Sequence, residues 1–125
     1  MKQNKFSIIK RLNSFKYTFN GLKILVKEEH NARIHLFAMI CVLIAGFIFK
    51  VSINEWLSII FAIGFVFALE IINSSIENIA DFISPEKNDK IERLKDLSAA
   101  AVLVAAITTL VIGLIIFVPK ILGLG

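Results

Sequence analysis

The chain has 125 residues, the size of one domain, 1–125. Hydrophobic residues make up 57% of it and mean hydropathy is +0.78, which excludes an ordinary soluble domain and points to an integral membrane protein. The formal charge is +4, and eight of the fourteen Lys and Arg lie in residues 1–33; this clustering suits an anionic membrane surface or phosphate groups, and no nucleic-acid-binding motif accompanies it, so nucleic acid is not an expected partner.

Residues 1–31 lack a continuous apolar core and a small-residue cleavage site, so they do not read as a signal peptide. Residues 5–28 read instead as an amphipathic surface helix. Ile8, Leu12, Phe15, Phe19, Leu22 and Val26 recur at spacings of four and three, flanked by Lys5, Lys16, Lys23 and Lys27. Such a helix lies in a membrane interface, packs on the protein's own bundle, or does both. The polar segment from Glu28 to His35 precedes a first span at about 32–50; its uncharged core, Leu36 to Phe49, is short, and Val51 and Ile53 extend it if Lys50 snorkels. Cys41, the single cysteine, lies in this run with no internal disulfide partner and reads as a small packed hydrophobe.

Ser52 and Glu55 fit a capping box, Asn54 is an alternative cap, and Trp56 sits where an interfacial aromatic is expected. A second span follows at about 55–83, stopped at Ser84 by Pro85. Residues 84–96 read as a charged loop, and the third span at about 91–118 holds 22 uncharged residues from Leu97 to Val118, closed by Pro119 and Gly123. Ala101 and Ala105 keep a spacing that favours close packing, here assigned to contact between subunits. The expected fold class is therefore all-α, three transmembrane helices plus an N-terminal surface helix. The N-terminal segment and the 84–96 loop carry eight and four Lys/Arg against one each in the 50–54 loop and the tail, which places the N-terminus in the cytoplasm and the C-terminus outside.

The chemistry concentrates in the second span. At 100° per residue Glu70, Glu77 and Asp81 fall within roughly 20° of one line, with Asn73 about 60° to one side. The flanking residues are too apolar for a solvated acidic stripe, and carboxylates there are costly unless they pair or bind a cation. Glu70 lies about 16 Å deeper than Asp81, so acids descend from a lysine-rich mouth. Carboxylates without His or Cys partners suit Mg²⁺ shared with phosphates, the lysines suit phosphate oxygens, and a carboxylate can act as a general base. Together these imply phosphoryl transfer to a lipid hydroxyl. No Walker A or kinase Gly-rich loop is present. His30 and His35 flank Arg33 and read as interfacial polar residues rather than metal ligands.

The pattern Glu70-x-x-Asn73-Ser-x-Ile-Glu77-x-x-x-Asp81, followed by Lys95-Asp96-x-x-Ala99-Ala-Ala-Val-Leu, resembles the signature of the bacterial diacylglycerol kinase family, which includes undecaprenol kinases. The similarity extends back through Glu29-x-x-x-Arg33 and Gly21-Leu22. It implies a three-span lipid kinase of the bacterial inner membrane, usually a homotrimer with active sites shared between neighbours. By that resemblance Glu70 is the general base, supported by Asn73, and Glu29 and Glu77 hold Mg²⁺ with ATP. Lys95 and Asp96 belong to the nucleotide site, Glu86, Lys87 and Asn88 line the nucleotide, and Lys10 and Tyr17 reach it from the surface helix. Ser14, Phe15, Phe19, Glu70 and Ala99 face the lipid. The segment Glu29-His-Asn-x-Arg33-Ile-His35 occurs in undecaprenol kinases, yet both diacylglycerol and undecaprenol stay open as substrate. The competing reading is a non-catalytic small membrane protein or a proton- or ion-handling subunit, since acids within spans also mark proton relays.

Overall fold

The computed structural model describes residues 7–123, so Lys5 and the start of the expected 5–28 helix lie outside the described residues. Four helices follow one another: α1 (Ile8–Glu28), α2 (His30–Ile48), α3 (Ile53–Ile83) and α4 (Asp89–Ile121). The last three are long and apolar enough to cross a membrane. Ser7 starts α1 by accepting a hydrogen bond from the Lys10 amide. Most of the α1 stripe, including Ile8, Leu12, Phe15 and Phe19, is exposed, and only Leu25 near its end is buried. Packing of α1 on the bundle is therefore confined to its C-terminal part.

Helices α2 and α3 form a hairpin. Its turn uses two sequence signals. After α2, the Val51 amide donates to the Gly46 carbonyl and the Lys50 amide to the Phe47 carbonyl, with Lys50 in the left-handed region at φ 53°. Then Ser52 and Glu55 close the expected capping box, and Asn54 is not the cap. Trp56 lies over Gly46, where a Cβ would come within 2.5 Å of the indole, and its ring meets Phe47 with centroids 4.9 Å apart. The glycine is what lets the tryptophan seat in this corner.

Two expectations about α4 are corrected. The charged segment is a loop only through Asn88. The Asn88 side chain accepts from the Lys90 and Ile91 amides, and Asp89 and Glu92 in the first turn favour the helix dipole, so the helix begins at Asp89, close to the expected start near 91 but inside the 84–96 stretch read as a loop. Pro119 does not close the helix either. It sits in the last turn, where it forfeits one backbone hydrogen bond, and the helix ends at Ile121 before Gly123 at φ 75°.

The antiparallel pair α3–α4 has a clear register. Glu55 pairs with Lys120 at 3.0 Å, Val66 packs with Met39 and Ala105, and Asn73 meets Ser98. Seven residues forward on α3 from Val66 match seven backward on α4 from Ala105. Ala105 is fully buried inside this layer, so it serves packing within the protomer and not the subunit contact expected of it. Cys41 is exposed on the protomer surface, not packed in the core, because the inward face of α2 passes through Met39 and Gly46 instead.

Candidate active site

Glu29 is the one residue between α1 and α2. Its backbone is extended (φ −103°, ψ 110°), which breaks the two helices apart, and its side chain caps neither. Arg33 completes the end of α1 instead, donating to the Val26 and Lys27 carbonyls at 2.9 Å each. The Glu29 carboxylate is thereby left to cross to α3, where it accepts a hydrogen bond from Ser74 Oγ at 3.4 Å.

On α3 the predicted acid face forms. Glu70 is buried, 3% exposed, and the titratable side chains close enough to act on it are His35, Glu29 and Glu77. Glu77 is half-buried two turns nearer the helix end, in electrostatic reach of Glu29, Lys95 and Asp81. Among the described residues no lysine or arginine lies within 4 Å of Glu29, Glu70 or Glu77 as an ion-pair partner. No three His, Cys, Asp or Glu side chains among them converge as a ready-made metal cage.

Asn73 accepts a 2.6 Å hydrogen bond from Ser98 Oγ and its side chain also reaches Glu77; its bonds go there rather than to Glu70. Lys95 is drawn to Asp81, with Nζ–Oδ1 at 2.8 Å, which places its ammonium at the mouth beside Glu77. Asp96, the next residue, points away to an exposed hollow bounded by Arg93 and Leu97. In the turn, Glu86, Lys87 and Asn88 are exposed; Lys87 stands 3.9 Å from Glu92, and the Asn88 oxygen is committed to capping. Lys10 and Tyr17 are exposed far back along α1, as are Ser14, Phe15 and Phe19, and Ala99 is exposed on α4. The structure thus brings Glu29, Glu70, Asn73, Glu77 and Lys95 together and leaves Lys10, Tyr17 and Asp96 apart within one protomer.

Sequence reasoning missed Ser74, Ser98 and the His35–Glu70 neighbourhood. Ser74 lies in the quoted signature and Ser98 stands one turn beyond Lys95, but only the register between helices reveals their partners. Beside this cluster a groove of about 400 Å³ runs between α1 and α3, lined by Thr18, Leu22, Leu25, Ile71, Ser74 and Asn78.

Residues 16–117 match the model of the family described as prokaryotic diacylglycerol kinase. The chain is similar to an undecaprenol kinase of Bacillus subtilis, 35% identical over 95% of this chain and 97% of that protein. It is also similar to a diacylglycerol kinase of Haemophilus influenzae, 36% identical over 75% of this chain and 80% of that one, and to a diacylglycerol kinase of Synechocystis, 27% identical over 90% and 65%. An acid-lined, membrane-embedded cluster and a family match over most of the chain lead to one conclusion: this protein belongs to the prokaryotic diacylglycerol kinase family, and is a multi-pass membrane lipid kinase.

Proposed function

We propose that the protein transfers the γ-phosphoryl group of ATP to the hydroxyl of a polyprenol of the undecaprenol class, with diacylglycerol as the second reading. The observation that carries the chemistry is the buried Glu70, which lies below two further acids and a lysine mouth. The lipid class rests on near-complete coverage by the undecaprenol kinase relative; the diacylglycerol kinases support the alternative.

In this reading Glu70 takes the hydroxyl proton, the lipid oxygen bonds to the γ-phosphorus, and the bridge to the β-phosphate breaks to release ADP. Lys95 stabilises negative charge on the transferring group. Glu29 at the α1–α2 break and Glu77 on α3 act on each other electrostatically, and among the described residues neither has a lysine or arginine within 4 Å, a hard-oxygen pair that fits Mg²⁺ shared with nucleotide phosphates. When bound, Mg²⁺ supplies charge neutralisation on those phosphates. Asn73, fixed by Ser98, orients Glu77. Asp96, Glu86, Lys87, Asn88, Lys10 and Tyr17 contact the nucleotide, and Ser14, Phe15, Phe19 and Ala99 the lipid, in a homotrimer of the bacterial inner membrane with its N-terminus in the cytoplasm. The basic N-terminal segment and the basic 84–96 stretch support that orientation.

Purified protein in detergent micelles, given labelled ATP with undecaprenol and diacylglycerol side by side, tests the proposal. Phosphorylated polyprenol as the dominant product is expected. Dominant phosphatidic acid would replace the lipid assignment, and ATP consumption independent of either lipid would overturn the reading.

A further inference from the structure

We propose that His35 is a positioning residue for the reaction, facing Glu70 from α2 and taking over the proton that Glu70 removes from the lipid hydroxyl. This rests on the reading of Glu70 as base. The placement comes from register. In the α2–α3 hairpin Met39 packs on Val66. One helical turn toward the α1–α2 break on α2 is His35, and one turn forward on α3 is Glu70. The next level has the Glu29–Ser74 hydrogen bond, so the register holds on both sides of the His35–Glu70 level.

The chemistry of the pair follows from burial. Glu70 is enclosed, while His35 is half-buried and five residues from the start of α2, about 8 Å along the axis. His35 is the basic side chain among the titratable groups that act on Glu70; the others, Glu29 from the helix break and Glu77 on α3, are the carboxylates assigned to Mg²⁺ and cannot take up the proton without loosening the metal. The imidazole can. The proton passes from the lipid oxygen to the Glu70 carboxylate, then to a ring nitrogen of neutral His35, then to water at the helix end. Glu70 is returned as carboxylate for the next turnover, and no redox partner is needed. Histidine is suited because its charge changes between about pH 5 and 8.

The test uses full-length His35→Ala and His35→Gln in lipid-containing micelles, with Glu70→Gln beside them. Both His35 variants are expected to lose at least about tenfold in kcat with KM for ATP unchanged, because the proton step and not nucleotide binding is impaired. Added imidazole is expected to restore His35→Ala and to leave Glu70→Gln inactive. A merely structural histidine would not respond to imidazole. Wild-type kcat in His35→Gln overturns the proposal, as does a loss in folded His35→Ala that imidazole leaves untouched; if His35→Ala does not assemble, kcat of His35→Gln decides alone. Near-normal turnover in Glu70→Gln would instead strike the base assignment, so the two failures are distinguishable.

Discussion

Lys95 shows how two explanations of one residue separate. A lysine at the start of a membrane helix can be a snorkelling anchor, but the Lys95 ammonium is held at 2.8 Å by Asp81 and lies near Glu77. That tether keeps the charge at the mouth where a phosphate would sit. An anchor tolerates arginine; a site fitted to a compact ammonium does not accept a planar guanidinium without loss. Lys95→Arg is therefore expected to assemble normally, judged by size-exclusion in detergent, and to lose most kinase activity. Wild-type rates would shift the phosphate contact to Lys87 or Lys90. Glu29 and Glu77 make a second case. Their separation of 48 positions hides an electrostatic proximity that the α1–α2 break creates by turning Glu29 toward α3. Replacing either by Ala is expected to weaken Mg-ATP affinity in a nucleotide titration, with Ser74→Ala affecting Glu29 alone and more mildly. Unchanged affinity in both acid variants would remove the shared-metal assignment. The acids were legible from sequence because all but Glu29 lie on one helix and follow its 100° step. Ser98 on Asn73 and His35 beside Glu70 were not, because they depend on how two helices slide against each other.

At the scale of elements, long apolar runs made three spans legible, and the expected Ser52–Glu55 box forms at the start of α3, which lies at Ile53, two residues before the expected 55. The misread stretch was 89–96, taken as part of a loop because a dense charge string concealed an Asn88 cap and an acidic first turn. That difference matters for the site: on a helix, Lys95 and Asp96 diverge by about 100°, which is why one faces Asp81 and the other does not. The α2–α3 turn carries a testable cost. Lys50 occupies the left-handed position after α2 while its amide and that of Val51 close the two end bonds. Glycine is the usual residue there because a Cβ is disfavoured in that region. Lys50→Gly is expected to stabilise the protein by about 1 kcal/mol, read as a raised unfolding midpoint in SDS titration, with activity unchanged. An unchanged or lowered midpoint would mean that the Lys50 side chain contributes more than its backbone conformation costs.

At the scale of the molecule, one protomer leaves the site open. The α1 stripe and much of α2 and α4 expose large apolar side chains, which a membrane or neighbouring copies must cover. Lys10 stands 19 residues before Glu29 on a continuous helix, about 28 Å along its axis, too far to join Glu29 and Glu77 at one phosphate group. Tyr17 is about 18 Å away by the same measure. If both contact nucleotide, the simplest geometry lends them to the acid cluster of a neighbour, the arrangement proposed for the trimer. Mixing inactive protomers tests this. Glu70→Gln lacks the base but keeps α1 intact; a Lys10→Ala, Tyr17→Ala double variant keeps the base but lacks the α1 contacts. In a ring, each mixed trimer contains one junction where a good base meets a good α1. Random association in equal amounts then yields about a quarter of wild-type activity, from three mixed trimers in four with one competent site in three each. Each variant alone stays near background. Activity of the mixture equal to the mean of its parents would show that each protomer builds its whole site, and would require α1 to fold back on its own bundle to bring Lys10 and Tyr17 within reach.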